Sequence, residues 1–232
     1  MAPDKPDDAT PDYIGHRKRL RQRLLAGGAK ALADYEILEL VLYGANPRGD
    51  TKPLAKELIK RFGGFAEVIK ASPDALMEVD GVGEVVIGAL KTVEVAAVWL
   101  ARETVLDQPV LSSWQALLDY CRAAMAHSKI EQFRLLFLDR KNVLIADEVQ
   151  QTGTVDHAPV YPREVVRRAL ELGASALNLV HNHPSGDPTP SKADIDMTNE
   201  IKQSAAVLGV TLHDHIVIGR QGHASFRSLG LL

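Results

Sequence analysis

The sequence predicts an α/β (α+β) protein, in which an all-helical N-terminal half precedes a sandwich of strands and helices. From His16 to Glu103, apolar residues recur with helical spacing and show no strand alternation. The stretch TVLDQPVL, residues 104–111, contains Pro109 and breaks that pattern. Beyond it, short apolar runs alternate with helical segments, which is typical of an α/β or α+β sandwich. We therefore predict four segments, namely a disordered N-terminus (1–15), a helical domain (16–104), a linker (105–111) and a second domain (112–232).

Start and stop signals divide the N-terminal half into helices. Asp34 is predicted to cap the helix DYEILELVLYG, and Ser72 to cap a helix that has Pro73 in its first position. The other helical segments are predicted to be HRKRLRQRLLA, TKPLAKELIKRF and residues 83–103, with Gly27-Gly28 and Gly63-Gly64 as stops.

The second half changes from helical to strand periodicity. Ser112 or Ser113 is predicted to cap the helix WQALLDYCRAAMAH, and a turn at residues 139–141 joins the first two strands. The predicted strands are FRLLFL, NVLIADEV, ALNLVHNH, VTLHDHIVIG and a short HASFRSL, and the predicted helices between them are PREVVRRALEL and SKADIDMTNEIKQSAAVLG.

Composition limits the classes of protein to which the chain can belong. Its 232 residues suffice for one large domain or two modest ones, and its net charge of −3 makes nucleic-acid binding depend on a local basic patch. The single cysteine, Cys121, excludes an intrachain disulfide and a cysteine-rich zinc site, and suits a reducing compartment. The acidic start MAPDKPDDATPD does not resemble a signal peptide, and no apolar run is long enough to cross a bilayer. We expect a soluble cytoplasmic protein with no membrane partner.

The segment HNHPSGDPTPSKAD, residues 181–194, carries a candidate metal site. His181 and His183 are two residues apart at the end of a strand, so their side chains share one face. Pro184 ends the strand, SGDPTP reverses the chain, and Asp194 falls in the first turn of the next helix, from which its carboxylate can reach the imidazoles. Two histidines and one carboxylate are typical of a catalytic zinc site, where a fourth position is left for a water whose pKa falls to about 7.

Each part of this pattern also has an ordinary structural interpretation. Ser191 and Asp194 form S-x-x-D, which resembles a capping box at a helix start, and the two histidines alone could be unliganded strand residues. Only the combination of strand, tight turn and capped helix favours the metal site. The chain has no H-E-x-x-H pattern, and it has no H-x-E followed by P-C-x-x-C, so a zinc deaminase is excluded.

The longer motifs point to a known family. The pattern H-x-H-x7-S-x2-D, formed by His181, His183, Ser191 and Asp194, resembles the signature of JAMM (MPN+) metalloproteases. The strings GTVDHAPVYPREVVRRALELGASAL, HNHPSGDPTPSKAD and DHIVIG are similar to the bacterial RadC family, and RQRLLAGGAKALADYEILELVL through GVGEVVIGAL resembles its helical N-terminal domain. The resemblance covers nearly the whole chain beyond residue 15. It implies an α-β-α sandwich around a mixed sheet, with a topology like that of cytidine deaminases.

The resemblance also implies roles for individual residues. His181, His183 and Asp194 would hold one zinc ion per chain, and Ser191 would donate a hydrogen bond to the oxyanion that develops during hydrolysis. The family's general base is a glutamate just before the first apolar strand, where Glu131 lies in EQFRLLFL.

Some neighbouring polar residues have alternative interpretations. Glu148, at the end of the second strand, is the second candidate for the general base. Asp214 or His215 could support the metal ligands from behind, or be ordinary strand residues. Asn182 faces away from the ligands by strand alternation, and we expect it to form a turn or sheet-edge hydrogen bond.

The N-terminal half contains two features that could bind DNA without reading its sequence. MEVDGVGEVVIGAL resembles a helix-hairpin-helix, in which N–H groups near Gly81 and Gly83 would meet a phosphate. Glu84 follows directly and weakens phosphate binding, so a hairpin used only for packing is an equal alternative. The second feature is a basic helix, which could grip a phosphate backbone or form a solvated face. Its basic residues are Arg17, Lys18, Arg19, Arg21, Arg23 and the nearby Lys30.

With the predicted zinc site, the resemblance implies a zinc-dependent hydrolase of a peptide or isopeptide bond, in a RadC-like protein associated with DNA repair or recombination. Three other functions are compatible with the same residues. A metal-dependent nuclease is one, although a single zinc suits a phosphodiester less well than a two-metal site. A non-catalytic accessory protein in recombination would keep zinc for structure, and the helical domain alone could bind DNA. The sequence does not indicate the oligomeric state.

Overall fold

The computed structural model describes residues 13–105, 114–152, 160–220 and 222–232. The chain divides into two compact units, residues 1–96 and 97–232. Among the described helices, none combines the length and apolar character that crossing a bilayer requires.

The division between the units falls inside a helix, α6 (Glu84–Glu103). The last turns of that helix belong to the second unit, where Val98 and Ala101 pack against the core. The buried Val105 is part of the same core. Apart from Val105, the predicted linker lies outside the described residues, as do residues 1–12 of the predicted disordered terminus and the predicted caps Ser112 and Ser113.

The first unit is all-helical, as predicted. Ser72 caps its fifth helix as predicted, because its hydroxyl accepts a hydrogen bond from the Ala75 N–H at 3.3 Å. Its buried core is aliphatic and includes the leucines Leu38, Leu42, Leu58, Leu76 and Leu90. The helices are α1 (Tyr13–Gly27), α2 (Asp34–Ala45), α3 (Lys52–Phe62), α4 (Phe65–Lys70), α5 (Pro73–Met77) and the first part of α6, with a 3-10 turn at Ala29–Ala31.

The predicted N-cap of α2 is wrong. Asp34 is the first residue of the helix, and Ala33 occupies the cap position. The Glu36 carboxylate satisfies the Ala33 N–H at 2.9 Å, while Asp34 accepts a hydrogen bond from the Phe65 N–H, at the start of α4, at 3.2 Å. Asp34 thus serves the N-terminus of a different helix, which the local sequence pattern does not reveal.

The second unit is built on a mixed five-stranded sheet with the order β2-β1-β3-β4-β5. β3 and β4 are parallel, and every other neighbouring pair is antiparallel. The elements are α7 (Trp114–Met125), β1 (Gln132–Leu138), β2 (Leu144–Thr152), α8 (Pro162–Glu171), β3 (Ala176–Asn182), α9 (Lys192–Val207), β4 (Thr211–Ile218) and β5 (His223–Ser225). Only the first three residues of the predicted last strand form β5, because the chain then turns, with the Leu229 N–H donating to the Ser225 carbonyl at 3.0 Å.

Helices cover both faces of this sheet. In β1, Leu136 and Leu138 lie in the same core as α7, whereas Leu135 and Phe137 lie in the core formed with α8 and α9. This alternation follows from the two-residue period of a strand that is buried on both faces. The resulting α-β-α layers place the end of the central strand β3 beside the start of α9.

Candidate metal centre

The three predicted metal ligands lie together at the carboxyl end of β3. His181 is in the strand, His183 follows its end, and Asp194 is in the first turn of α9. One nitrogen from each imidazole and one carboxylate oxygen lie within 4.8 Å of one another. In the part of the chain that the structure describes, no other group of three His, Cys, Asp or Glu side chains meets this condition.

The atoms that face one another are both histidine Nε2 atoms and the carboxylate oxygens. The two Nε2 atoms are 2.9 Å apart. His181 Nε2 lies 3.4 Å from Asp194 Oδ1, and His183 Nε2 lies 3.6 Å from Asp194 Oδ2. His181 is buried, whereas His183 and Asp194 remain partly exposed, so the cluster is open to solvent on one side.

The turn between β3 and α9 is held against the end of β4. The His183 N–H donates to the Ile218 carbonyl at 3.0 Å. Gly186 in the turn has a φ of +95°, which L side chains rarely adopt. Gly219 approaches this turn so closely that a Cβ there would lie 2.4 Å from the Gly186 carbonyl oxygen and 2.9 Å from Pro188 Cδ. The position of His183 therefore depends on a glycine at the end of β4.

We expect Gly219→Ala to destabilise the chain, because the added methyl group must displace the backbone of the turn. Overpacking of this kind costs about 1–3 kcal/mol in the free energy of unfolding, which urea denaturation measures. Gly222→Ala is the matched control, since a Cβ there would meet nothing within 4 Å. Equal midpoints for the two variants would contradict the prediction.

A backbone carbonyl determines which nitrogen of His183 carries hydrogen. His183 Nδ1 lies 2.8 Å from the Asp187 carbonyl oxygen, which can only accept a hydrogen bond. Nδ1 therefore donates, and the neutral ring presents its Nε2 lone pair to the cluster. With His181 Nε2 and the Asp194 oxygens, this forms a close set of electronegative atoms that a divalent cation would stabilise.

The protonation states of the three side chains suit metal binding. Burial lowers the pKa of His181 to about 4, so the ring is neutral at neutral pH. The adjacent Asp194 carboxylate raises the pKa of His183. Burial alone would raise the pKa of Asp194, but His183, His181 and Ser191 together hold it well below its ordinary value. A neutral imidazole and an ionised carboxylate are the forms that bind metal, and a cation would displace any proton held by His183.

Ser191 forms the capping box that its spacing predicted. Its hydroxyl accepts a hydrogen bond from the Asp194 N–H at 3.2 Å and donates to Asp194 Oδ2 at 2.6 Å, and its N–H donates to the same oxygen at 2.7 Å. The capping box orients the Asp194 carboxylate, so it is compatible with a metal site. The contact of Ser191 with an oxyanion stays a prediction, which requires the hydroxyl hydrogen to turn away from Asp194.

Glu131 lies directly before β1 and close to the cluster. Asp194 is the main cause of the raised pKa of His183, and the charge of Glu131 contributes to it as well. The charge of Glu131 is therefore felt at one of the predicted ligands, and its role as the general base stays a prediction.

Asn182 fixes the backbone on both sides of Glu131. Its Oδ1 accepts a hydrogen bond from the Gln132 N–H at 2.9 Å, and its Nδ2 donates to the Ile130 carbonyl at 3.2 Å. The predicted sheet-edge hydrogen bond of Asn182 is confirmed. The sequence did not indicate that this side chain would bracket the candidate general base.

Glu148, the alternative base, is engaged elsewhere. Its carboxylate in β2 accepts hydrogen bonds of 2.8 and 2.5 Å from Arg168 in α8, and these lower its pKa. Arg168 also donates to Glu171 at 3.0 Å. A carboxylate held in this way is a poor proton acceptor, which argues against Glu148 as the general base.

A buried chain of hydrogen bonds runs from His181 away from the cluster. His181 Nδ1 lies 2.7 Å from His215 Nε2, and His215 Nδ1 lies 2.6 Å from Thr198 Oγ1. The Thr198 hydroxyl donates to the Asp194 carbonyl. Of the two residues predicted to support the ligands from behind, His215 contacts a ligand, whereas the Asp214 carboxylate binds the segment around β5. No sequence signal singled out Thr198, because it lies inside a regular helical pattern.

Two of the basic residues predicted to contact DNA are engaged within the first unit. The Arg17 guanidinium donates to three backbone carbonyls between residues 46 and 49, at 2.8 to 2.9 Å. Arg23 pairs with Glu36 at 2.7 Å. The other basic residues of this set are exposed, namely Lys18, Arg19, Arg21 and Lys30.

The predicted hairpin is a turn between α5 and α6. Gly81 has a φ of +87°, Val82 is buried, and Gly83 directly precedes Glu84, the first residue of α6. The burial of Val82 supports the packing interpretation, and the acidic first turn opposes phosphate binding. DNA binding by this unit stays a prediction.

Comparison with known proteins covers most of the chain. Residues 111–231 match the RadC-like JAB domain family, and residues 13–87 match the UPF0758 N-terminal family. A UPF0758 protein of Rhodobacter capsulatus is 66% identical over 213 residues, which cover 92% of this chain and 100% of the relative. A UPF0758 protein of Ruegeria pomeroyi is 60% identical over 223 residues, which cover 96% of this chain and 100% of the relative.

Proposed function

The chain belongs to the RadC family, and from that premise we propose that it is a zinc-dependent hydrolase that cleaves a peptide or isopeptide bond. The observation that carries the proposal is the convergence of two imidazole nitrogens and one carboxylate at the end of β3. The JAB domain is compatible with hydrolase activity, whereas the names of the relatives state none. The zinc-dependent chemistry is therefore argued from the residues of this chain, and the peptide or isopeptide bond from the resemblance to JAMM metalloproteases.

The chemistry of the cluster fits a zinc ion. His181, His183 and Asp194 would hold it, because catalytic zinc sites combine imidazole nitrogen and carboxylate oxygen from three protein ligands. The hydrogen bond from His183 Nδ1 to the Asp187 carbonyl leaves Nε2 as the ligand atom. When bound, zinc would polarise a carbonyl oxygen and lower the pKa of a water molecule.

Glu131 would carry the proton during hydrolysis. It would take a proton from the attacking water and deliver it to the leaving amine. Asn182, which hydrogen-bonds the backbone on both sides of Glu131, would keep this carboxylate in place. Ser191 would donate its hydroxyl hydrogen to the developing oxyanion.

A nuclease and a non-catalytic accessory protein are the competing functions. Phosphodiester hydrolysis commonly uses two metal ions about 3.5–4 Å apart. The described residues offer one three-ligand cluster, which suits a carbonyl substrate better. A ligand set open on one side, with a carboxylate nearby, also supports catalysis over a purely structural zinc site.

The test is hydrolysis by the purified full-length chain, with and without added zinc. The probes are a peptide library from a digested proteome, branched isopeptides and supercoiled plasmid, all in ¹⁸O-labelled water. Zinc-dependent peptide or isopeptide products that carry ¹⁸O in the new carboxylate are expected. Nicked plasmid with intact peptides would identify a nuclease instead, and no product from the zinc-loaded protein would favour an accessory role.

A further inference from the structure

We infer that His215 and Thr198 are positioning residues that hold His181 in the tautomer with hydrogen on Nδ1, so that its Nε2 lone pair faces the cluster. The inference rests on the proposed function for the identity of the metal, whereas the tautomer is a property of the chain itself. It goes beyond the ligand set, because it assigns a task to two buried side chains that no metal would touch.

The donor in each hydrogen bond between His181 and Asp194 can be identified by starting from the final acceptor, the Asp194 carbonyl oxygen. The Asp194 carbonyl oxygen has no hydrogen, so the Thr198 hydroxyl donates to it. This uses the only hydrogen of the hydroxyl, and His215 Nδ1, at 2.6 Å, therefore donates to the Thr198 oxygen. A neutral His215 has no second hydrogen, so its Nε2 accepts from His181 Nδ1 at 2.7 Å. The one hydrogen of a neutral His181 thus lies on Nδ1, and Nε2 is free to bind a cation.

The surroundings of His215 keep its ring neutral and fixed. The ring is buried, with its centroid 4.5 Å from that of Phe226 in a stacked pair and 5.6 Å from that of Phe133 in an edge contact. A charged ring at this fully buried position between aromatic side chains would lose its solvation, so the neutral form is favoured. Two aromatic walls and hydrogen bonds at both nitrogens leave the ring no other orientation that satisfies its polar atoms.

The chain of hydrogen bonds joins the two elements that carry the ligands. It begins at His181 in β3 and ends on the backbone of Asp194 in α9. The Thr198 hydroxyl can donate to the Asp194 carbonyl because a threonine hydroxyl in a helix reaches the carbonyl four residues earlier. The ring orientation of His181 and the first turn of α9 are therefore fixed together, which holds both ligands ready before a metal arrives.

The test is a long-range ¹H–¹⁵N spectrum of the full chain labelled with ¹⁵N-histidine, recorded without zinc at mildly alkaline pH, where neutral rings dominate. We expect His181 in the wild type to carry hydrogen on Nδ1. Thr198→Val removes the acceptor of His215 without changing side-chain shape, so we expect a mixture of His181 tautomers and a zinc affinity about 10- to 100-fold lower by chelator competition. Thr198→Ser should restore both properties.

Thr211→Val, at an exposed position at the start of β4, is the matched control and should behave as wild type. A wild-type His181 with hydrogen on Nε2 would overturn the inference, as would unchanged tautomer and affinity in Thr198→Val. If that variant does not fold, the wild-type spectrum still decides. A wild type that keeps the Nδ1 hydrogen but binds no zinc would support the inference while refuting the proposed zinc site.

Discussion

Asp194→Asn is expected to abolish stoichiometric binding of zinc. The substitution removes the one negative charge of the three-ligand cluster but preserves side-chain size, and the carboxamide oxygen can still accept the capping hydrogen bonds from Ser191. We expect a loss of affinity greater than the 10- to 100-fold typical of residues that only orient ligands. Elemental analysis after reconstitution and desalting should find about one zinc per wild-type chain and almost none per variant chain.

Asp196→Asn provides the matched control for this experiment. Asp196 lies two residues further along α9, is exposed, and is not part of the ligand cluster. Asp196→Asn removes one negative charge, as Asp194→Asn does, and should leave the zinc content unchanged. A full complement of zinc in Asp194→Asn would show that Asp194 is not a ligand. If the wild type bound no zinc, Ser191 and Asp194 would serve only to cap the helix.

Glu131→Gln is expected to abolish hydrolysis while leaving zinc bound. Glutamine keeps the size of the side chain but cannot accept the proton of the attacking water. General acid–base catalysis contributes about 10²- to 10⁴-fold, so the rate should fall by that factor. The measurement compares ¹⁸O incorporation by wild type and variant, each loaded with equal zinc, on whichever peptide the wild type cleaves.

Glu148→Gln separates the two candidate bases. It makes the same chemical change at a carboxylate that is paired with Arg168, so it should retain activity at the cost of some stability. If Glu148→Gln were inactive and Glu131→Gln active, with both folded and zinc-loaded, the assignment of the base would be reversed. Loss of zinc from Glu131→Gln would instead indicate that Glu131 is a metal ligand.

Short-range rules were sufficient to identify the cluster. Strand alternation put His181 and His183 on one face, turn chemistry reversed the chain, and the S-x-x-D pattern placed Ser191 and Asp194 at a helix start. Each rule acts over a few residues, and the structure confirms that the side chains meet. The mixed sheet with helices on both faces was likewise predicted, from periodicity and from the resemblance of whole motifs.

Long-range partners could not be predicted in the same way. Asp34 was predicted to cap α2, but its carboxylate accepts a hydrogen bond from the Phe65 N–H at the start of α4, 31 residues away. Arg17 and Arg23 belong to the predicted basic helix face, but each has a partner within the first unit. Arg17 donates to the Asn46 carbonyl, and Arg23 pairs with Glu36. A pattern read along one element shows which side chains share a face, but not what lies opposite that face.

The sequence by itself identified the cluster of His181, His183 and Asp194, the order of helices and strands apart from α4, and the resemblance to the family. Only the tertiary structure showed that Arg168 holds Glu148, revealed the hydrogen bonds of Asn182 on both sides of Glu131, and joined His181 to Thr198 through His215. Ligand spacing within 181–194 is a local property of a strand, a turn and a capped helix. The partners of each ligand depend on which strands are neighbours and in what register, and that is set by the packing of the whole second unit.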